Sequence, residues 1–481
     1  MHTIISRSPS NVLKHIERLK KTTNFHNSSI LFTVSPPSSS SDLSDLVDAL
    51  TTWPNANTTG CLTSPTHSDA VTCSIAFFEN QRSVLFRSTI PGREQTQVGR
   101  WHSFRKPQSR DTSLNVASLL DKREQGRNWD DIWNTGGHED VELPEELQGV
   151  DPNRVQNIFY FSDRSPEGLS FALNASFPRA TTLGLLASST PFVTGRPVTL
   201  FHNKRIYDSG AVGIALKSNR DSDSQCSFHL PSGLEPLGEV MIVTDSEGNL
   251  INTLSNENPT QLLLSAIRRA GIDTTTSNAM TFKDDSEFYL ATLQDPRLGT
   301  GQANEFHQLH SITAGDPSRG TISLNTQSSS PRVGTPVQFF YGRTPSSTTA
   351  SSLSSSLLSA SLVPSTFLNT ALAPSGQNKT KNALAFAVAP HPTYSNSSHE
   401  SVTDSYDAEP LWKQNIFLAA SENGFVLSRR GEKWDDAPIN STKKTLEDVG
   451  EAPEDCFRQK NSASEVPWTC TVPGCVVEAR V

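Results

Sequence analysis

The stretch from Asn157 to Ser218 constrains the fold most, because short apolar runs alternate in it with Gly, Pro and Asn punctuation. Residues 158–161 are an aromatic run with strand character. Residues 166–177 carry Leu169, Ala172, Leu173 and Phe177 at helical spacing. Ser165 is placed to cap that helix, and Pro166 falls at its first position, where a missing N–H costs nothing. Residues 180–186 form a second strand of small residues that includes Gly184. Residues 198–202 and 206–207 read as two strands around an Asn203-Lys204-Arg205 turn, and residues 211–216 are apolar enough to predict a strand buried on both faces. Strand, helix, strand, hairpin and buried strand in that order predict an α+β layer architecture.

The chain has 481 residues, enough for two or three domains, but only 7% are aromatic and 19% charged, and Gly and Pro are plentiful. A sizeable core is therefore expected over part of the length, with long loops between. A formal net charge of −9 argues against generic binding to nucleic acid or anionic membranes, which needs a basic face. No apolar run reaches the roughly 20 residues that span a bilayer. Six cysteines do not make a disulfide scaffold in a chain this long, and Cys470-x4-Cys475 has neither a second close pair nor a nearby His to complete a zinc site. The N-terminus keeps two readings. Arg7, Lys14, Arg18, Lys20 and Lys21 with Glu17 as the one acid have the composition of a mitochondrial presequence. Val12, Leu13, Ile16 and Leu19 equally make the apolar stripe of an ordinary first helix capped by Ser10 or Asn11. A cytoplasmic or nuclear location is expected on the second reading, a mitochondrial one on the first.

Along the chain, residues 29–34 predict a buried strand, 42–53 an amphipathic helix, 58–62 a strand holding Gly60-Cys61, and 71–78 another strand. Residues 88–150 read as a polar insertion with one helix near 116–123 and with Trp101, His102 and Arg105 standing out in it. After a polar loop at 219–238 come a strand at 239–245, a turn at 246–249, a strand at 250–254 and a helix at 259–270. Residues 344–382 are Ser-rich low complexity without the apolar content of a packed element. Residues 383–388 read as a strand, and 415–420 with 425–428 as a hairpin on Asn423-Gly424. The segment 435–481 is an acidic tail with a terminal strand.

Several of these residues together resemble a FIST domain. Helix, strand, helix and a Gly60-Cys61 strand resemble the opening of the family's N-terminal half. Phe201, Asn203, Tyr207, Asp208 and Gly210-Ala211-Val212-Gly213 resemble its close. The strand, Gly turn and helix at 239–270 resemble the start of the C-terminal half, as do Ile312, Asp316, Gly320, Ile322 and Leu324, then Gly334, Val337, Phe339 and Arg343, farther on. Of the family's late Cys-rich element only Asn423-Gly424-Phe425 and Gly431-Glu432 remain. The resemblance covers roughly residues 10–87 and 155–343. It implies two related halves, each a mostly antiparallel sheet with packed helices: 10–218, interrupted at 88–150, and 239–434, interrupted at 344–382. In style the chain is similar to fungal members. The implied function is a non-enzymatic sensory or interaction module that binds a small ligand, an amino acid or carboxylate, or a protein partner. The alternative is a substrate-recognition component linked to ubiquitin ligation, as in F-box relatives, here without room for an F-box of its own.

No catalytic residue, metal or cofactor is expected. The sequence has no G-x-S-x-G elbow, phosphate-binding G-x-x-x-x-G-K-[ST] loop or H-E-x-x-H pair. Gly299-Thr300-Gly301 is followed by Asn304 where a dinucleotide loop needs Gly, and His307 and His310, which could share a helix face, lack a third ligand. The expected ligand-binding residues are Gly60, Cys61, Ser162, Asp163, Arg164 and Gly184. Cys61 sits at a strand end, as a presented thiol or a small buried hydrophobe. Ser162-Asp163-Arg164 leads from a strand into a helix whose free N–H groups can hold a carboxylate, or merely be capped.

Overall fold

The structure, a computed structural model, describes residues 1–22, 27–67, 70–92, 143–217, 226–231, 234–272, 286–293, 306–316, 320–325, 330–331, 333–343, 382–390, 410–428 and 467–481. It is α+β with sheet predominating. The first unit runs β1 (His2–Ser6), α1 (Pro9–Thr22), β2 (Ser28–Val34), α2 (Ser40–Thr51), β3 (Ala56–Leu62) and β4 (Val71–Glu79). Helix α1 forms because Val12, Ile16 and Leu19 recur at helical spacing, and all three are buried against the sheet with Leu43, Leu46 and Leu50 of α2. Strand β1 precedes the helix that the sequence reading began with; Ile4 and Ile5 are buried and pair with β4.

The second unit holds β5 (Ser83–Ser88), β6 (Val155–Ser162), α3 (Glu167–Ser176), β7 (Thr181–Leu186), a short helix α4 (Pro191–Thr194), the hairpin β8 (Leu200–His202) and β9 (Arg205–Tyr207), and β10 (Ala211–Lys217). Asn203 and Lys204, both at positive φ, make the hairpin turn, a geometry that matches strand twist. Ser165 is not the cap of α3. Pro166 takes that place without a side-chain bond, and the Ser165 N–H goes to Asp163 Oδ1 at 2.9 Å. The far end of the polar segment 88–150 joins the core, where Leu147 is buried beside Leu143 and Val150.

Next come β11 (Cys226–His229) and a closed barrel of β12 (Leu234–Glu247), β13 (Leu250–Leu254), β14 (Ser286–Leu293), β15 (Phe306–Asp316), β16 (Thr321–Leu324) and β17 (Pro336–Arg343), ordered β12-β13-β16-β15-β14-β17. Helix α5 (Pro259–Arg269) packs Leu263, Ala266 and Ile267 into the barrel core; Asn258 caps it by accepting the Gln261 N–H at 3.0 Å. His307 and His310 lie on β15, not on a helix, so the shared helix face that their spacing suggests does not form. The chain ends with β18 (Ala383–Val388), β19 (Leu411–Gln414), β20 (Ile416–Ser421), β21 (Phe425–Ser428), β22 (Trp468–Cys470) and β23 (Val476–Arg480). Strands β20 and β21 are not the hairpin expected from Asn423-Gly424. Each joins a different sheet, because Leu186 N–H takes the Gly424 carbonyl at 3.0 Å and draws β21 onto β7.

The three open sheets repeat one motif. The orders β1-β4-β2-β3, β5-β10-β6-β7 and β11-β23-β18-β20 share the same pairing: antiparallel, antiparallel, parallel. In each, the chain visits the strands in the order 1-2-3-4 and the sheet places them 1-4-2-3. The sequence reading expected two related halves; the sheets show three related units, with the barrel inserted in the third. The units close a ring. The segment after the third strand of the second unit pairs with β3 of the first, as β8; that of the third pairs with β7 of the second, as β21. The equivalent segment of the first unit reaches the third through the Ser64–Ala420 bridge. Parallel pairing also repeats at the centre, where Phe32 faces Gly60, Tyr160 faces Gly184 and Phe386 faces Ala419.

One edge of the ring carries a histidine cluster. His2 stacks on Trp412 of β19 at 6.1 Å and His15 meets the same ring edge-on at 4.9 Å. Burial, then the neighbouring N-terminal charge and His15, hold His2 at about 4; burial, then Arg18, hold His15 below 6.5. The unfolded chain therefore binds more protons, so this part of the stability is complete above pH 6.5 and lost as pH falls toward about 4. The thermal midpoint should fall on acidification through this range, and His15→Gln should flatten the upper part of the profile.

Candidate functional site

The carboxyl ends of the parallel pairs β2/β3, β6/β7 and β18/β20 meet at the ring's centre. Ser64 N–H bonds Ala420 O at 2.9 Å, Ser188 N–H bonds Leu62 O at 3.3 Å and Ala187 N–H bonds Ser162 O at 2.7 Å. In open sheets with parallel strands, ligands bind beyond the carboxyl ends, where the chain leaves the strand and side chains converge.

What converges here is polar. Ser64 Oγ lies 3.0 Å from Ser188 Oγ, and Ser188 Oγ donates to Ser421 Oγ at 3.4 Å. Glu422, at the turn between β20 and β21, accepts Ser64 Oγ–H at 2.5 Å on Oε2 and the Ser189 N–H at 2.7 Å on Oε1. Burial alone would raise its pKa, but these hydrogen bonds outweigh it and hold the carboxyl below its ordinary value, so it stays ionised. Asn423 Nδ2 fixes the turn from the other side by donating to Ala187 O at 2.7 Å.

Among the described residues, the second unit alone places ionisable side chains after its first parallel strand. Ser35 and Ala389 stand where Asp163 stands, one residue past β2, β18 and β6 respectively. Asp163 is taken up by structure: its carboxylate accepts the Ser165 N–H on Oδ1 and the Gly210 N–H at 2.6 Å on Oδ2. Arg87 completes that clamp, donating to Ser209 O at 2.6 Å and Ala211 O at 3.1 Å while lying 4.5 Å over the Tyr207 ring. Arg164 is exposed and donates from Nη2 to Ser189 Oγ at 2.6 Å. Ser189 thus joins a cation on its side chain to an anion on its backbone. The loop that follows is braced internally. Thr190 Oγ1 bonds Thr199 Oγ1 at 2.8 Å and Arg196 O at 3.0 Å, Gly195 supplies a left-handed turn at φ +73°, and Phe192 is 95% exposed at the tip.

Of the residues that the sequence singled out, the structure brings Ser162, Asp163 and Arg164 to this junction. Ser162 is buried there on the face covered by α3. Gly60, Cys61 and Gly184 lie in strand bodies. Cys61 has no exposed surface, and burial pushes its thiol well up, which leaves it a core side chain. A Cβ on Gly60 or Gly184 would strike Phe32 or Tyr160. Ser64, Ser188, Ser189, Glu422 and Asn423 were missed. Their one signal is the recurrence of a short polar turn after an apolar strand, at 62–64, 186–189 and 419–423. Trp101, His102, Arg105, the helix near 116–123, Gly299-Thr300-Gly301, Gly431-Glu432 and the Ser-rich segment up to residue 381 lie outside the described residues.

Among the described residues no group of three His, Cys, Asp or Glu side chains could hold a metal, and no helix is long and apolar enough to cross a membrane. Compared with protein families, residues 28–257 match the FIST N domain. The match contains Ser64, Asp163, Arg164, Ser188 and Ser189, and Glu422 comes to them from outside it. FIST domains are generally sensory or ligand-binding rather than catalytic. No curated protein sequence matches the chain.

Proposed function

We propose that this chain is a non-enzymatic sensory module that binds a small carboxylate or amino acid at the junction of its three units. The observation that supports this most is the Arg164–Ser189–Glu422 arrangement. An exposed guanidinium whose one hydrogen bond among the described residues goes to Ser189 offers the rest of its planar fork to a carboxylate. The ionised Glu422 lies just across Ser189, which suits a ligand that also carries an ammonium group. The buried serines around it provide a pre-ordered wall. We also read residues 239–434 as the second part of one FIST-type assembly with 10–218. In support, β19 and β21 from that segment complete sheets of the first two units.

The test is thermal unfolding of the full chain against a panel of amino acids and small carboxylates. A ligand at about 100 times its dissociation constant stabilises by about 2.7 kcal/mol, a rise of about 2–5 °C in a chain this size. Arg164→Ala should abolish the rise while leaving the unliganded stability within about 0.5 kcal/mol of the parent, as for most exposed substitutions. A panel without any saturable shift would count against the small-ligand reading.

A further inference from the structure

The turn that leads into the last strand of a unit is held in two different ways. In the second unit β9 passes through Asp208-Ser209-Gly210 into β10. Gly210 has φ +77°, and the Arg87–Asp163 clamp holds the carbonyls of Ser209 and Ala211 and the N–H of Gly210. In the third unit β22 passes through residues 471–475 into β23. Gly474 occupies the equivalent place with φ +83°; its N–H bonds Val388 O at 2.9 Å and the Val388 N–H returns to Cys475 O at 2.9 Å. Where the second unit has an arginine–aspartate clamp, the third has two cysteines bracketing the turn. Cys470 and Cys475 are both free and fully buried and belong to one core cluster, where burial first and then the neighbouring Cys470 thiol push the Cys475 thiol up. The Cys475 N–H also closes on Val472 O at 3.2 Å, which turns the chain back between the two cysteines.

We propose that Cys470 and Cys475 are a redox pair that closes to a disulfide, stapling this turn as the charged clamp staples its counterpart. The two S–H bonds break and one S–S bond forms. The co-reactant is a low-molecular-weight disulfide of the glutathione class, attacked by one protein thiolate to give a mixed disulfide that the second thiolate resolves, so two small thiols leave with the electrons and protons. Burial penalises the Cys475 thiolate, so exchange requires local opening of β22, an edge strand of its sheet. The same penalty disfavours the reverse reaction, so the bridge persists once made. The Cys470 carbonyl lies against Gly424, at 2.0 Å from where a Cβ there would be, and Gly424 follows the Glu422-Asn423 turn. The staple therefore fixes the wall behind that turn, and it stands whether or not the junction binds a carboxylate.

The experiment equilibrates the purified full chain with oxidised and with reduced glutathione, then blocks free thiols under denaturing conditions and maps peptides by mass spectrometry without reduction. The expected result is a peptide spanning residues 470–475 that loses two hydrogens and takes no alkyl groups after oxidation, with a midpoint about 2–4 °C above the reduced form, as closing so short a loop should give. Cys475→Ser should lose both changes. Because mapping of the parent protein decides the pairing, a variant that fails to fold leaves the test intact. Both cysteines alkylated after oxidation, or a bridge from either one to Cys226 or Cys456, would overturn the proposal.

Discussion

Gly60→Ala is expected to cost about 3 kcal/mol of folding stability, at the upper end for overpacking a core. A Cβ on Gly60 would come 2.3 Å from the Phe32 carbonyl and 2.8 Å from its ring. Neither can give way. Phe32 is on β2, between β3 and β4, fully buried, and its ring packs on Phe201 at 5.6 Å. Gly184→Ala should cost less, about 1–3 kcal/mol, because its obstacle is the far end of the Tyr160 ring rather than backbone. The third unit already carries alanine at this place, Ala419 opposite Phe386, so the demand for glycine comes from the close ring approach in the first two. Denaturant midpoints of both variants check the values. A Gly60→Ala protein as stable as the parent but unresponsive to ligand would instead make Gly60 a binding residue.

Glu422→Ala should cost about 1–2 kcal/mol, because it removes the acceptor of the part-buried Ser64 hydroxyl, which keeps Ser188 Oγ, and of the Ser189 N–H, which water can reach. Glu422→Gln keeps one acceptor oxygen and should fall between. The sign of the pH dependence follows from the hydrogen bonds. The folded carboxyl sits below the ordinary 4.5, so its contribution is complete above that value and lost as pH falls through the lowered one. The parent should therefore lose stability in this acidic range more steeply than Glu422→Gln, measured by urea unfolding at matched ionic strength. Equal slopes would mean that Glu422 does not hold the junction.

Strand and helix identities were largely legible, because period and punctuation are local. The stripe of Val12, Ile16 and Leu19, the buried run of residues 30–34 and the Asn203-Lys204 turn each carry their own physics. Strands β1, β5, β11, β14 and β22 were not foreseen; most are short, or lie beside polar segments, and gain their place by pairing with strands distant in the chain. The Asn423-Gly424 turn misled for the same reason. A local hairpin signal was overridden by the β7 edge that β21 completes.

The sequence by itself determined that this is an α+β chain of strands and helices between long polar segments, and it pointed to the segment around Asp163 and Arg164. Only the tertiary structure decided that three units form a ring and that Glu422 reaches Ser64 and Ser189 from far along the chain. The reason is that a hydrophobic period is written in neighbouring residues, whereas strand order and the meeting of three sheet ends depend on hydrogen-bond partners that no local pattern names.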